Sequence, residues 1–177
     1  MEVWRGQQEG LQTVIVNPGV ILGPTPKIAG KDLGSGEIFE AVANDLPFYT
    51  KGTSGFIAVT DVVRIMHKLM KSELSAERYT LIEDNYGFDV IANTIADALK
   101  VKRPSIHAKP WMTSLSWKID WLLALIAGKK RMIYKDMATS LHATDRFSNA
   151  KIREALNVEF KPVLDYIREV VEIQKSR

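Results

Sequence analysis

The stretch VIVNPGVILGP, residues 14–24, decides how this chain folds. Val14, Ile15 and Val16 are β-branched and show no alternation between apolar and polar side chains, which is typical of a strand buried on both faces inside a parallel sheet. An Asn-Pro-Gly break follows, the apolar run resumes as Val-Ile-Leu, and Gly-Pro ends it. Because such a strand needs a neighbour on each side, the remaining sequence has to supply further strands.

Strands and helices alternate along the first part of the chain, and helices dominate the rest. The opening residues are predicted as the end of a helix that closes at Gly10, a left-handed cap. Residues 18–36, rich in Gly and Pro, are predicted as a long loop. Further strands are predicted at residues 56–59 and 78–83, with a weak candidate at residues 105–107. Helices are predicted at residues 37–44, 60–70 (capped by Thr60 or Asp61), 88–100, 113–127, 136–142, 148–156 and from Pro162 onward.

This order predicts an α/β fold, because strand–helix alternation favours parallel pairing with right-handed crossovers. Three strands and one weak candidate are too few to bury a central strand on both sides. The missing neighbours most simply lie ahead of Met1, where the chain enters a helix without an N-cap. We therefore expect the sequence to be the later part of a longer α/β protein.

Composition argues against several classes of partner. The chain has 177 residues, of which 46% are hydrophobic, as in globular domains. A net charge of +3 is small for a nucleic-acid binder, and the basic residues 129–131 and Lys135 are expected to form a solvated turn. The apolar run at residues 121–128 is shorter than the ~20 residues of a membrane span; Trp117 and Trp121 leave an interfacial helix as the less favoured alternative. We predict a cytoplasmic protein without nucleic-acid or membrane partners, and the absence of cysteine suits that compartment.

Phosphate-loop and metal motifs are missing from the sequence. In GPTPKIAGK, residues 23–31, six residues instead of four separate the glycines, and Asp32 follows the lysine, so this is not a Walker A loop. Gly34 and Gly36 lack the third glycine of a G-x-G-x-x-G fingerprint, since Phe39 stands in its place. The three histidines are scattered and there is no G-x-S-x-G elbow. We expect no metal site and find no support for a serine-hydrolase triad.

The Asn-Pro-Gly break has the most specific mechanics. It lies at the carboxyl end of a predicted parallel strand, where open α/β sheets bind ligands. Pro18 lacks an N–H and fixes its own φ, so the backbone that follows is held at a fixed position relative to the end of the strand. Val20 and Ile21 can then offer an apolar surface and main-chain amides to a flat ring. Tyr49 and Trp111, aromatic residues on predicted loops, are candidate pocket walls.

Four segments in the same order resemble the second half of an extended short-chain dehydrogenase/reductase, of the NAD-dependent epimerase/dehydratase and dihydroflavonol-reductase-like kind. Residues 2–24 are similar to the end of the catalytic helix, the next strand, and the N/R-P-x-x-V-x-G-P loop that packs on the nicotinamide. Residues 34–70 look like the substrate-side loop and the F-V-x-V-x-D-V-x-x-A strand–helix unit. Residues 75–99 resemble the following strand and helix, and residues 146–172 the closing S/D-x-x-K-x-x-x-L-G-F-x-P pattern.

The resemblance implies a fold, a division of the chain and a set of site residues. The fold is a partial Rossmann-like parallel sheet with an inserted substrate loop, residues 1–100, followed by a mostly helical substrate-binding subdomain, residues 101–177. The parent protein would bind NAD or NADP and a small-molecule substrate, and would form a homo-oligomer. The implied cofactor-binding residues are Asn17, Pro18, Gly19, Val20, Ile21 and Ser35. The implied substrate-binding residues are Gly36, Tyr49 and Trp111.

The family's catalytic machinery is absent from these 177 residues. There is no Gly-x-x-Gly-x-x-Gly loop, and no tyrosine is followed four residues later by lysine; the residues in that position are Thr53, Glu83, Val90, Ala138 and Val170. In the family the tyrosine moves the proton while the lysine lowers its pKa and holds the ribose. We therefore assign no catalytic residue here and expect the chain by itself to be inactive and to bind no cofactor.

Two hypotheses follow for the function. The first is the substrate-binding half of an NAD(P)-dependent reductase, epimerase or dehydratase. The second is a non-catalytic binding or oligomerisation module derived from the same half-fold. A glycine-rich loop and a Tyr-x-x-x-Lys pair encoded in frame ahead of Met1 would favour the first, and a stop codon close upstream would favour the second.

Overall fold

The computed structural model describes residues 2–24, 34–115 and 139–175. Their helices are α1 Glu2–Gln8, α2 Gly36–Ala43, α3 Val59–Met70, α4 Phe88–Leu99, α5 Ala150–Leu156 and α6 Val163–Lys175. Their strands are β1 Val14–Pro18, β2 Val20–Leu22, β3 Phe48–Tyr49, β4 Thr53–Ala58, β5 Glu77–Leu81, β6 Asp84–Gly87 and β7 Ile106–His107.

The chain divides into two compact units, each assembled from separated stretches of sequence. The first comprises Met1–Glu37, Gly55–Asn85 and Phe147–Arg177, and the second comprises Ile38–Ser54 and Tyr86–Arg146. The assignment of residues 1–100 and 101–177 to separate functional parts stays a prediction.

Parallel strand pairing is confirmed. β1 pairs in parallel with β5, from Val14 opposite Glu77 to Pro18 opposite Leu81. β2 pairs in parallel with β4, which also neighbours β6, and β3 pairs in parallel with β7. The structure therefore has the predicted α/β class. The predicted loop at residues 18–36 was wrong in part, because β2 lies within it.

The core of the first unit forms where α3, α5 and the loop before α6 cover β4 and β5. Three apolar residues of α3 recur at helical spacing and are buried on one face of the helix, namely Val62, Ile65 and Leu69, whereas Met66 and Met70 are exposed. Burying a large apolar side chain contributes about 1.5–3 kcal/mol, so this cluster makes a large contribution to the unit's stability. The cluster consists of Ile57, Val62, Ile65, Leu69, Tyr79, Leu81, Ile152, Val158 and Phe160.

The second unit has its own buried residues. α4, which begins and ends close to the predicted bounds, buries one apolar face, and α2 buries Phe39 and Val42. The buried residues of α4 are Ile91, Ala92, Ile95 and Ala96. The weak strand candidate at residues 105–107 is confirmed as β7. Its partner β3 contains Tyr49, which was expected to lie in a loop, because a two-residue strand leaves no periodicity to detect.

The burial of β1 differs from the expectation. Val14, Ile15 and Val16 are only half-buried, whereas Tyr79 and Leu81 of the neighbouring β5 are buried. Among the described strands β1 pairs with β5 alone. Its composition is that of an inner strand, but it lies at a sheet edge here.

The predicted cap of α3 was wrong. The helix begins at Val59 with Ala58 as its N-cap, and no side-chain hydrogen bond caps it. Thr60 and Asp61 lie inside the first turn, where Asp61 makes a different set of contacts. Arg64 Nη2 donates to Asp61 Oδ1 at 2.8 Å, and the backbone N–H of Lys161 donates to Asp61 Oδ2 at 2.7 Å.

Several predictions lie mostly or wholly outside the described residues. They concern the helices at residues 113–127 and 136–142, the tryptophans Trp117 and Trp121, and the basic turn at residues 129–131 with Lys135. Of the helices that the structure does describe, none has the length and apolar character needed to cross a membrane.

We predict that Asp61→Ala destabilises the protein by about 2 kcal/mol, because it leaves the half-buried Lys161 N–H without its acceptor and removes one acceptor of the Arg64 guanidinium, which still donates to the Glu159 carbonyl. Asp61 is 4% exposed. Asp165→Ala is the matched control: it removes a carboxylate that also pairs with an arginine three residues later, but both partners are exposed, so its effect should stay below about 0.5 kcal/mol. Urea denaturation of both variants measures the difference, and equal effects would contradict the assignment.

Candidate functional site

The backbone changes partners at residues 17–21, here called the 17–21 segment. β1 ends at Pro18 beside Leu81, the last residue of β5. The Gly19 N–H still donates to the Leu81 carbonyl at 3.0 Å, and from Val20 onward the chain pairs with β4 instead. The segment thus lies at the carboxyl end of the β1–β5 pair, the edge at which parallel α/β sheets bind ligands.

Close packing holds this segment in place. A Cβ atom on Gly19 would lie 2.3 Å from the Gly55 carbonyl oxygen and 2.8 Å from Ile82 Cγ2. A Cβ on Gly55 would in turn lie 2.4 Å from Ile82 Cγ2. Gly19 is therefore required by the close approach of two backbones, and Gly55 by the Ile82 side chain that packs against it. The sequence contained this signal as a glycine within the apolar strand at residues 53–58, but it was not recognised.

The outer side of the segment is accessible. Asn17, Pro18 and Val20 are exposed, Ile21 is half-buried, and Leu22 beyond them is buried. An accessible strip of backbone with one exposed apolar side chain, Val20, therefore lies over the close packing of Gly19 against Gly55 and Ile82. Such a strip can contact a flat ring through van der Waals contacts and main-chain polar groups.

The remaining predicted residues lie apart from this strip in the sequence. Ser35 is half-buried and Gly36 is buried at the start of α2, after a turn in which the Glu37 N–H donates to the Gly34 carbonyl at 3.2 Å. Both residues belong to the first unit, whereas α2 continues beyond Glu37 into the second unit. The structure leaves their predicted roles in cofactor and substrate binding untested.

Tyr49 and Trp111 belong to the second unit. The Tyr49 ring stacks on His107 with 5.4 Å between ring centroids and 27° between planes, because β3 and β7 pair at this position. Trp111 is 64% exposed. His107, which appeared isolated in the sequence, is thus held by an aromatic partner, and His142 Nε2 lies 2.8 Å from Thr113 Oγ1. No local sequence signal predicts either contact, because both join distant residues.

Two polar contacts in the first unit hold the chain that follows β5. The Asn149 side-chain amide donates to the carbonyls of Ile82 and Glu83, each at 2.9 Å. The Glu83 carboxylate accepts the Val163 N–H at the start of α6, at 3.2 Å. Neither residue was a candidate from the sequence. Their contacts are structural, since they attach α5 and α6 to the end of β5.

Tyr166 on α6 is buried close to the end of β2. Its hydroxyl shares a hydrogen bond with Thr60 and lies 3.8 Å from where a Cβ on Gly23 would stand. Burial raises the pKa of Tyr166 above its ordinary value, and this outweighs the hydrogen bond and the nearby Lys161, which lower it. The neutral phenol is therefore the form that the folded protein favours. Within the described residues, no three His, Cys, Asp or Glu side chains group as a metal site would require.

We predict that Gly19→Ala destabilises the protein by about 2 kcal/mol, because the added methyl overlaps the Gly55 carbonyl and Ile82. Val20→Ala, at the exposed neighbouring position, should change stability by less than about 1 kcal/mol. Chemical denaturation of both variants tests the close approach. A Gly19→Ala variant as stable as the wild type would show that the backbones are farther apart.

A second prediction concerns alkaline pH. Because the pKa of Tyr166 is raised in the folded state, its contribution to stability is complete below the unfolded pKa of about 10 and is lost as pH rises through the folded pKa. Tyr166→Phe should cost about 1 kcal/mol at pH 7 through the lost hydrogen bond, and this gap should narrow above about pH 10. Denaturation curves across that range measure the gap, and a gap independent of pH would contradict the shift.

Neither a family model nor a curated protein sequence matches the chain. Solved structures do match it. A nucleoside-diphosphate-sugar epimerase from Pseudomonas aeruginosa is 20% identical with a TM-score of 0.72, and the match covers 99% of this chain and 52% of that one. UDP-glucose 4-epimerase from Thermus thermophilus, in complex with NAD, is 15% identical with a TM-score of 0.60, over 96% and 48% of the two chains. RMD from Pseudomonas aeruginosa, complexed with NADPH, is 13% identical with a TM-score of 0.63, over 99% and 52%.

These identities are low, so the likeness concerns the fold. Nearly the whole chain takes part in it, while only about half of each solved structure is spanned. The chain has a partial Rossmann-like α/β fold, as predicted, and this fold matches about half of each of these solved structures.

Proposed function

We propose that the chain is the substrate-binding, carboxyl-terminal half of an NAD(P)-dependent extended short-chain reductase, epimerase or dehydratase. The observation that carries this proposal is the 17–21 segment, an accessible strip of backbone at the carboxyl end of parallel strands, supported by the contact of Gly19 with Gly55 and Ile82. The order of the four family-like segments and the half-length fold likeness support it as well.

The segment fits one face of a nicotinamide ring. Pro18 offers no N–H, Val20 offers an exposed apolar side chain, and the Gly19 N–H is already bonded to Leu81. A ring lying on this strip would meet van der Waals surface without displacing a strand hydrogen bond. The described residues contain no glycine-rich loop that fits the cofactor's phosphates, so the remainder of that site has to come from elsewhere.

NAD(P), when bound, would supply the hydride chemistry, and this chain would orient the nicotinamide and hold the substrate. Ser35 is proposed to contact the cofactor, and Gly36, Tyr49 and Trp111 to contact the substrate. Tyr49 is braced by His107, and the exposed Trp111 offers a free aromatic surface. Since the sequence has no Tyr-x-x-x-Lys pair, the group that moves the proton must also come from elsewhere.

The proposal predicts different behaviour for the 177-residue chain and for a longer polypeptide. Titration of the isolated chain with NADPH or NADH should give no saturable fluorescence change, and no hydride transfer should occur. The DNA ahead of the Met1 codon should encode, in frame, a glycine-rich loop and a Tyr-x-x-x-Lys pair, and the polypeptide that includes them should bind NAD(P).

A charge on the strip should weaken that binding. In the longer polypeptide, Val20→Glu should raise the Kd for NADPH at least about tenfold, because it places a carboxylate against the ring and near the anionic cofactor. Val63→Glu, at another exposed valine on α3, is the matched control and should leave the Kd unchanged. Tight stoichiometric cofactor binding by the isolated chain, or a stop codon close upstream, would overturn the proposal in favour of a non-catalytic module.

A further inference from the structure

Phe147 carries an exposed aromatic ring close to the 17–21 segment. Its Cδ2 atom lies 3.2 Å from where a Cβ on Gly55 would stand, so the ring packs directly on Gly55. The carbonyl oxygen of Gly55 is also the group against which Gly19 packs. A single residue thus separates the Phe147 ring from the 17–21 segment, and all three residues belong to the first unit. Phe147 is nevertheless 42% exposed.

The backbone of Phe147 is held by a side chain instead of a strand. The Asn85 side-chain amide donates to the Phe147 carbonyl at 2.8 Å, and Asn85 Oδ1 accepts the Phe147 N–H, also at 2.8 Å. Residues 145–149 form neither helix nor strand. At the end of this stretch Asn149 donates to the first two carbonyls after β5. Two side-chain amides therefore fix a stretch that has no regular hydrogen bonding of its own.

A fixed and exposed aromatic ring is suited to contact a ligand. Side chains on a surface lose conformational freedom when a ligand covers them, and this loss opposes binding. The bonds from Asn85 and the contact with Gly55 already restrict Phe147, so less of that freedom remains to be lost. Ligand sites are lined mainly by apolar and aromatic side chains with a few polar groups. The exposed side chain of Val20 supplies a second apolar surface on the neighbouring segment.

We infer that Phe147 borders the nicotinamide site at the 17–21 segment, on the side of Gly55, and that Asn85 is the residue that positions it. This inference rests on the proposed function, which places the nicotinamide on that segment. The ligand group that suits the ring is a flat heteroaromatic ring, because aromatic rings pair in offset or edge-to-face arrangements. The contact would also remove apolar surface of Phe147 from water, which favours the bound state.

A single thiol at position 147 tests the contact, because the 177-residue sequence has no cysteine. In the longer polypeptide encoded with the upstream DNA, saturating NADPH should slow the reaction of the Phe147→Cys thiol with a maleimide at least about fivefold, because a bound ligand is largely covered by its site. Mass spectrometry of the peptide that contains residue 147 measures the rate. Ile173→Cys, at a position on α6 that is 38% exposed, is the matched control and should react equally fast with and without NADPH.

Asn85→Ala tests the positioning role, because it removes both hydrogen bonds to the Phe147 backbone. In the isolated chain it should speed hydrogen exchange of the Phe147 N–H at least about tenfold. In the longer polypeptide it should reduce the protection of the Phe147→Cys thiol by NADPH to less than about twofold, since the ring position is no longer fixed. A general loss of stability would instead raise the reactivity of the Ile173→Cys thiol as well.

The outcomes separate this inference from the proposed function. If the longer polypeptide binds NADPH but the Phe147→Cys thiol reacts equally fast with and without it, the inference fails and the proposed function stands. If the longer polypeptide does not bind NADPH, the proposed function fails. If NADPH protects the thiol but Asn85→Ala changes neither the protection nor the exchange of the Phe147 N–H, the positioning role of Asn85 is overturned and the contact of Phe147 is supported.

Discussion

The close approach of Gly19, Gly55 and Ile82 is the constraint on which the first unit depends. At this point the chain leaves its pairing with β5 and begins to pair with β4, and it does so without a loop. The backbone at Gly19 can come this near to β4 only because Gly19 carries no side chain, as the distances from its would-be Cβ demonstrate. The accessible strip at Asn17, Pro18 and Val20 is a consequence, since the packing beneath it leaves its outer side as the free surface of the segment.

Side-chain hydrogen bonds attach the helices of the first unit to one another and to the end of β5. The Asp61 carboxylate joins α3 to the segment before α6, and Glu83 accepts an N–H at the start of α6. Asn149 donates to the first two carbonyls after β5. Each acceptor or donor satisfies a group that burial would otherwise leave unpaired, which is costly in a protein interior. These contacts explain how α5 and α6, distant in sequence from the strands, are attached to the same unit.

The proposed function treats this chain as a rigid support for chemistry whose reacting groups lie elsewhere. That view agrees with two independent features: the sequence lacks a cofactor-phosphate loop and a Tyr-x-x-x-Lys pair, and β1 is half-buried and uncharged and pairs with β5 alone among the described strands. In an α/β sheet the strand that carries the ligand-binding edge is usually central, because its neighbours exclude water from the site. Among the described strands, β1 has such a neighbour on one side only, namely β5.

The sequence by itself determined the features that depend on nearby residues. The end of α1 at Gly10, the extents of α2 and α4, the amphipathic face of α6 and the parallel α/β class all follow from local spacing and from the order of elements. The position of residues 17–21 at a strand end was also predictable, because Asn-Pro-Gly interrupts a β-branched run. Only the tertiary structure decided the pairing of β2 with β4, the stacking of Tyr49 on His107, the contacts of Asp61 and the half-burial of β1. These depend on residues far apart in the chain, and strands of two or three residues are too short to carry a pattern of their own.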